Sequence, residues 1–333
     1  MYHFRRSGIQ LTGKKLLFRA YVEEWEEWER VSANQWSLKT YEGYASILRA
    51  HLLPAFGESD LKKISVLDVE RYIADKVDSG LNSNSVKHHV VLLKTILNSA
   101  LRQGIILQNP VQRARLPKVA RYIPQTYVPE EIARFLNELK GTQYFAIMYV
   151  AFWTGARRGE LLALRWSDVN LDRKLITIMK SKTVVTKRYD KGKVQGQTKT
   201  DPSVRVIAIS DDLCGFLKRH KAEQEERRRA PSYEDKTGLV FTSHQYGRML
   251  NSSYMTEKLN TIQKRLGLNH IRMHDARHTH ASIALNNGVD LVTMSNRLGH
   301  SRVSTTDDYY SHVVPGADQQ AADVYARAVN LEA

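Results

Sequence analysis

The 333-residue chain is about twice the length of a common domain, and its 42% hydrophobic residues suffice for two modest cores. A net charge of +15 favours a polyanionic partner, above all nucleic acid, over an acidic membrane surface or simple solubility. The single cysteine, Cys214, excludes an intramolecular disulfide, and the chain has neither a signal-peptide pattern nor an apolar run of membrane-spanning length, so the expected location is the cytoplasm.

The residue pattern of the N-terminal third predicts a basic arm followed by a helical bundle. Residues 1–16 are basic and contain two glycines, so they are expected to be either a disordered terminus or a tail that contacts DNA. Apolar residues at helical spacing predict four helices, at residues 18–36, 40–51, 65–80 and 84–104. Pro54 is expected to end the second helix and Ser65 to cap the third. Short connections then predict a bundle over residues 17–111.

Basic residues on the polar face of this bundle and in the segment after it are candidates for contact with a duplex. They are Lys87, His88, Lys94 and Arg121, with His89 and Arg102 on the same polar faces. Prolines and basic residues without sustained periodicity predict a linker at residues 112–127.

The remainder of the chain predicts a second, mixed domain. Helices are expected to resume at Pro129, with two glutamates in the first turn. Alternating apolar residues predict strands, at residues 171–180, 204–209 and 239–241. Further helices are predicted at residues 216–229, where the charged face has no assigned chemistry, and at residues 318–331. The expected fold is therefore mainly α-helical with a small β-sheet.

A first candidate for chemistry is the sequence T-G-A-R-R-G-E-L. If a helix begins near Ala156, one face carries Arg157, Glu160, Leu161 and Leu164. Arg157 then points inward and Arg158 outward. A buried guanidinium needs a partner, and Glu160 can hold part of it while leaving the rest for an anion. The alternative is a structural Arg–Glu pair.

A second candidate is Lys199 in T-K-T, at the entry to the second strand. A lysine at a strand end can donate a proton or a charge into a cleft. In a chain this basic, the alternative is an ordinary surface residue.

A third candidate begins at His274 in H-D-A-R-H-T-H. Asp275 is predicted to cap a helix, and Arg277 to share a face with the small residues Ala281 and Ala284, where a phosphate can approach its fork. His274 can donate to the same oxyanion. The alternative is a zinc site, since His274 and His278 have i, i+4 spacing, with His280 or His300 as third ligand.

The fourth candidate is L-G-H-S, containing His300, followed by a pair of tyrosines. If Ser301 caps a helix, Tyr310 lies on the face of Val303 and Thr306, whereas Tyr309 is turned about 100° away. Simple packing is the alternative for either tyrosine.

Together, these four motifs resemble the tyrosine recombinase (phage integrase) family, in particular the integrases of Gram-positive phages and of integrative and conjugative elements. The resemblance covers residues 126 to 314 and includes Y-S-H-V at Tyr310, and the helical N-terminal part resembles the family's core-binding domain. It implies a core-binding domain at 17–111 and a mixed α/β catalytic domain at 128–314, which form a C-shaped clamp on DNA. Residues 315–333 would be a C-terminal helix that docks either on its own subunit or, by exchange, on a neighbouring one.

The resemblance also implies the role of each site residue. Tyr310 would be the nucleophile that leaves a 3′-phosphotyrosine and a free 5′-hydroxyl. Tyr309 is the alternative, because ten positions separate His300 from Tyr310, one more than in many relatives. Arg157 and Arg277 would neutralise the phosphate, and Lys199 would protonate the leaving group. His274 would assist at the tyrosine oxygen, His300 would hydrogen-bond the phosphate, and Glu160 would play a supporting role. Neither a metal nor a cofactor is implied.

The implied partners are double-stranded DNA attachment sites, three further copies of the chain in a tetramer, and an accessory DNA-bending or excision factor, with no membrane. The location would be the bacterial nucleoid, or the host cytoplasm for a phage protein. An N-terminal arm-binding domain is expected to be missing or reduced to residues 1–16. Two alternatives are a non-catalytic DNA-binding protein on the same fold and an enzyme like a type IB topoisomerase.

Overall fold

The computed structural model describes residues 15–32, 38–119, 124–179, 204–235 and 237–299. Within these ranges the chain forms two compact units, one in residues 15–119 and one in residues 124–299. The described part is mostly helical with one three-stranded sheet, which confirms the predicted fold class. None of the described helices is both long and apolar enough to span a bilayer.

The first unit is built from five α-helices within its described residues. They are α1 (Phe18–Ser32), α2 (Leu38–Ile47), α3 (Leu53–Phe56), α4 (Val66–Asp78) and α5 (Ser83–Arg102). Ser65 caps α4 as predicted, because its hydroxyl accepts from the backbone N–H of Asp68 while the Asp68 carboxylate accepts from the Ser65 N–H. The predicted boundaries of α5 are correct to within two residues.

The prediction that Pro54 ends the second helix is wrong. A π-helical turn at Leu48–Leu52 joins α2 to α3, and the Leu53 N–H donates to the Leu48 carbonyl. Pro54 lies in the first turn of α3, directly after this π-helical turn. The helical path therefore continues to Phe56.

The core of the first unit lies between α1, α4 and α5. Tyr21 and Trp25 of α1 are buried in this core. Lys87, His88, Lys94 and Arg102 are exposed on α5 as expected. His89 is not on a polar face: it is 4% exposed, and its Nδ1 lies 2.9 Å from the Tyr72 hydroxyl. The turn of α5 that carries His89 packs against α4, so the imidazole is buried and the prediction that it lies on a polar face is wrong.

The second unit surrounds a helix that is apolar on all sides. Its helices are α6 (Pro129–Leu139), α7 (Phe145–Thr154), α8 (Arg158–Ala163), α9 (Asp211–Arg227), α10 (Ser252–Leu266), α11 (Met273–Asn286) and α12 (Leu291–Leu298). The central helix is α7, whose Ile147, Val150 and Ala151 are at most 1% exposed and which packs against α11, α6, α8 and α9. One face of α7, which carries Phe145, Tyr149 and Trp153, is half-buried, and its other faces are buried.

The sheet is antiparallel, with the order β1 (Val169–Asn170), β2 (Leu175–Ile178), β3 (Arg205–Ala208). Ile176 pairs with Ile207, and Ile178 with Arg205. The strands predicted at residues 171–180 and 204–209 are both present, but β2 is shorter than predicted because residues 171–174 form a turn. Residues 239–241 are not a strand; Leu239 makes only an isolated bridge to Arg165.

Candidate active site

The end of α7 determines where Arg157 lies. Gly155 ends that helix with a left-handed backbone (φ 63°), and the next two residues leave the helix direction. Arg157 has extended dihedrals (φ −68°, ψ 149°) and directly precedes α8. The predicted start near Ala156 is therefore wrong, since Arg157 caps α8 rather than sharing a helical face with Leu164. Arg158 is exposed, as predicted.

Glu160 holds Arg157 by both its backbone and its side chain. Its Oε2 accepts from the Arg157 N–H at 2.8 Å, and its Oε1 accepts from Arg157 Nη1 at 3.0 Å. The Glu160 side chain is 2% exposed, whereas that of Arg157 is 37% exposed. Arg157 Nη2 donates to the carbonyl of Gly299 at 3.2 Å. Both Nη atoms are thus held by protein acceptors, while part of the Arg157 side chain stays exposed to solvent.

A third member of this group, Arg205 at the start of β3, was not predicted from the sequence. It binds Glu160 with two parallel hydrogen bonds, Nη1 to Oε1 at 2.9 Å and Nη2 to Oε2 at 2.7 Å. Its position contained a signal: Arg205 is in phase with the buried Ile207 in an alternating strand, and a charge on a buried face needs a partner.

The charge of Glu160 follows from these contacts. Burial by itself would raise the pKa of the Glu160 carboxyl, but the hydrogen bonds and charge of Arg205, together with the two hydrogen bonds from Arg157, lower it below its usual value. Glu160 is therefore an anion shared by two cations.

The start of α11 places His274 and Arg277. Asp275 is not the cap: Arg272 is, and the buried Asp275 carboxylate accepts from the Arg272 N–H at 2.7 Å and from its Nε at 3.2 Å. Asp275 acts as the third helical residue of a capping box, three positions after the cap. Arg277 is 2% exposed, and its Nη1 donates to the Gly155 carbonyl at 3.0 Å. Ala281, on the predicted common face, is fully buried.

His274 lies in the first turn of α11 and keeps an exposed face. The protein packed around the rest of the ring desolvates it and lowers its pKa, and the positive charges of Arg277 and Arg157 lower the pKa further. The imidazole is therefore neutral at neutral pH and can accept a proton. Arg277 follows His274 by three positions on α11, and the carbonyl to which it donates, that of Gly155, lies two residues before Arg157.

The zinc alternative finds little support among the described side chains. The rings of His274 and His278 meet edge to face, with centroids 5.2 Å apart. His280 is engaged elsewhere, because its Nδ1 lies 2.9 Å from the Phe152 carbonyl and its Nε2 accepts from Arg297 Nε at 3.1 Å. Across the described ranges, no group of three or more His, Cys, Asp or Glu side chains could hold a metal ion.

Several predicted site residues lie outside the described ranges, namely Lys199, His300, Tyr309 and Tyr310, as does the candidate DNA contact Arg121. The described structure brings together Arg157, Glu160, His274 and Arg277, and it adds Arg205. Two guanidinium groups beside a neutral imidazole, each anchored at a helix end, form an arrangement suited to binding an oxyanion and accepting a proton next to it.

Comparison with known proteins identifies relatives along nearly the whole chain. Residues 126–315 match the phage integrase family, and residues 17–77 match the phage integrase N-terminal SAM-like domain. The chain is 30% identical over 336 residues to a tyrosine recombinase XerC-like protein of Caldanaerobacter subterraneus subsp. tengcongensis, covering 96% of this chain and 85% of that protein. It is 29% identical to the ICEBs1 integrase of Bacillus subtilis, covering 85% and 76%.

The fold is also similar to those of integrases solved with DNA. The Tn1549 transposon integrase in complex with a circular intermediate DNA matches with a TM-score of 0.74 at 16% identity, over 92% of this chain and 98% of that one. A lambda integrase tetramer bound to a Holliday junction matches with a TM-score of 0.67 at 16% identity, over 87% and 79%.

Proposed function

The chain belongs to the phage integrase family and is a site-specific DNA recombinase of the tyrosine type, and on this premise we propose that Arg157, His274 and Arg277 hold the scissile phosphate. The observation that carries the proposal is the anchoring of both guanidinium groups. Arg157 is tied to Glu160 and to the Gly299 carbonyl, and Arg277 to the Gly155 carbonyl. Groups held in this way need little reorganisation when charge develops on the phosphate.

The proposed reaction begins with attack by the Tyr310 hydroxyl on phosphorus. The Oη–P bond forms and the P–O5′ bond breaks, which yields a 3′-phosphotyrosine and a 5′-hydroxyl. Neutral His274 takes the phenolic proton, and Lys199 gives a proton to the departing 5′-oxygen. Attack by the 5′-hydroxyl of a second strand reverses these steps and rejoins the DNA. The phosphotyrosine retains the bond energy, so the scheme needs neither metal nor cofactor.

Charge on the five-coordinate phosphorus would be countered by the two arginines. Each donor of this kind contributes roughly 10²–10³ in rate. His300 would add a hydrogen bond to a non-bridging oxygen, and Glu160 would support Arg157.

We further propose that the first unit contacts duplex DNA through α5 and the linker, with Lys87, His88, Lys94 and Arg121 against the phosphates. The exposure of the three α5 residues supports this. The active species would be a homotetramer on two attachment sites, which integrates or excises a mobile element together with an accessory DNA-bending or excision factor. It would act at the bacterial nucleoid, or in the host cytoplasm for a phage protein. The tetramer of lambda integrase and the transposon origin of the Tn1549 enzyme support these proposals.

We also propose the domain limits that the sequence predicts. Residues 17–111 would be the core-binding domain and 112–127 the linker, with the catalytic domain at 128–314. Residues 315–333 would form a C-terminal helix that docks either on its own subunit or, by exchange, on a neighbouring one. The matched segments, 17–77 and 126–315, support the first and third of these limits.

A nicked suicide substrate carrying the flanking repeats of the element tests the nucleophile. Cleavage of such a substrate leaves protein covalently bound to DNA, which denaturing gels resolve. Tyr310→Phe should abolish the adduct, and Tyr309→Phe should retain it. An adduct that survives Tyr310→Phe and vanishes with Tyr309→Phe would reverse the assignment.

The same preparation distinguishes the alternatives. Site-specific binding without any adduct would indicate a non-catalytic DNA-binding protein. Relaxation of any supercoiled plasmid by a monomer, without site preference, would indicate topoisomerase-like activity.

A further inference from the structure

We propose that Arg205 is a positioning residue for recombination. By neutralising Glu160, it leaves the charge of Arg157 available to the phosphate. It also fixes the Gly299 backbone, whose carbonyl accepts a hydrogen bond from Arg157. The inference rests on the proposed role of Arg157. All three guanidinium nitrogens of Arg205 are engaged by protein, Nη1 and Nη2 by Glu160 and Nε by the Arg297 carbonyl, so Arg205 acts through other groups rather than on DNA.

The Glu160 carboxylate is saturated with hydrogen bonds. Each of its two oxygens accepts two, one from Arg205 and one from Arg157. Four bonds use the acceptor capacity of a carboxylate. The Arg205 bonds are the parallel pair at 2.7 and 2.9 Å, whereas Arg157 contributes one backbone and one side-chain donor. Arg205 is therefore the partner that holds the carboxylate in its orientation.

The charges of this cluster do not cancel. A buried carboxylate facing a single guanidinium would form a closed ion pair with no net charge. Here two guanidinium groups share one carboxylate, so the cluster keeps one positive charge. That charge emerges at Arg157, the member with 37% of its side chain exposed. Arg205 thus converts a neutral pair into a cationic site.

Arg205 also joins the cluster to the end of α12. Its Nε donates to the Arg297 carbonyl at 2.9 Å, in the last turn of that helix. Gly299 is packed on the same side chain, since a Cβ added to it would lie 2.9 Å from Arg205 Cδ. The Gly299 carbonyl accepts from Arg157 Nη2. Both supports of Arg157, Glu160 and Gly299, are therefore held by Arg205.

The experiment measures single-turnover formation of the covalent adduct, the Kd for uncleaved DNA, and thermal unfolding in the full chain. Arg205→Lys keeps the charge but loses the planar fork, and losing one or two charged hydrogen bonds should slow adduct formation by about tenfold to hundredfold. DNA affinity should change far less, because lysine keeps the positive charge and the Arg205 guanidinium donates to Glu160 and to the Arg297 carbonyl rather than to DNA. The matched control is Arg228→Lys, which alters an ion pair with Asp235 in the same unit and should cleave like wild type.

A second-site variant separates positioning from folding. Arg205→Met leaves Glu160 to capture Arg157, so adduct formation should fall further; adding Glu160→Gln removes the capturing charge and should restore part of the rate. A merely structural role predicts no rescue. The inference is overturned if Arg205→Lys cleaves like wild type, or if Glu160→Gln does not improve Arg205→Met.

Arg157→Ala distinguishes failure of this inference from failure of the proposed function. If Arg157→Ala forms the adduct at the wild-type rate, the assigned role of Arg157 is wrong and the inference falls with it. If Arg157→Ala is inactive while Arg205→Lys is fully active, only the inference about Arg205 fails.

Discussion

Gly155→Ala should destabilise the second unit well beyond the ordinary cost of losing a left-handed glycine. Gly155 has φ +63°, and an alanine there costs about 1–2 kcal/mol of strain. The new Cβ would also lie 2.8 Å from both His280 Cδ2 and Leu298 Cδ2. Neither neighbour yields easily, because His280 is hydrogen bonded to Phe152 and Arg297, and Leu298 is fully buried.

Crowding of this kind typically adds about 1–3 kcal/mol, so the total loss should be about 2–5 kcal/mol. For a domain of this size, each kcal/mol lowers Tm by about 2–4 °C. The matched control is Gly267→Ala at the end of α10, where φ is +64° and nothing lies within 4 Å of an added Cβ. It should lose only the strain, about 1–2 kcal/mol.

Denaturant unfolding and calorimetry of both variants measure the difference. Because the two glycines have nearly the same φ, the excess loss at Gly155 isolates the contacts with His280 and Leu298. Equal losses would refute the argument from crowding. Gly155→Ala should also slow DNA cleavage, since the Gly155 carbonyl anchors Arg277, whereas Gly267→Ala should not.

Four further outcomes are expected. Arg157→Ala should slow adduct formation by roughly 10²–10³, while the exposed Arg158→Ala stays close to wild type in the same assay. Ser65→Ala removes a capping box and should cost about 1 kcal/mol in denaturant unfolding of the first unit; an unchanged midpoint would contradict the cap. Burial lowers the pKa of His89 to about 4 from 6.5, so the unfolded chain binds more protons between these values, and stability should fall as pH drops from 6.5 to 4; His89→Gln should flatten that slope. Since the pKa of His274 is lowered, the acid limb of the cleavage rate should lie below pH 6.5 and disappear in His274→Gln.

Local pattern alone was enough for much of the fold. The cap at Ser65, the start of α6 at Pro129 and the alternating pattern of β2, in which Ile176 and Ile178 are the buried residues, all agree with the predictions. Each depends on residues within a few positions of one another, where hydrogen-bond geometry or strand periodicity acts directly. Local errors arose where two rules competed, as at Pro54, where a π turn let the helix continue.

For the candidate site, too, the sequence predicted local features and the tertiary structure decided the rest. The sequence motifs predicted Arg157, Glu160, His274 and Arg277 as site residues from their residue types and spacing. The resemblance of these motifs to a family implied the catalytic role of each residue. Their arrangement came from contacts between distant parts of the chain: Arg277 reaches a carbonyl 122 positions away, and Arg157 one 142 positions away.

Arg205 shows why only the tertiary structure decided the rest. From the sequence it is one charged residue in a strand, and nothing within its neighbours names a partner 45 positions upstream. Side-chain pairing of this kind depends on how β3 packs beside α8 and the end of α12, which is a property of the whole core. Sequence determined which residues can carry charge at the site; packing determined that two guanidinium groups share one buried carboxylate and that the surplus charge is carried by Arg157.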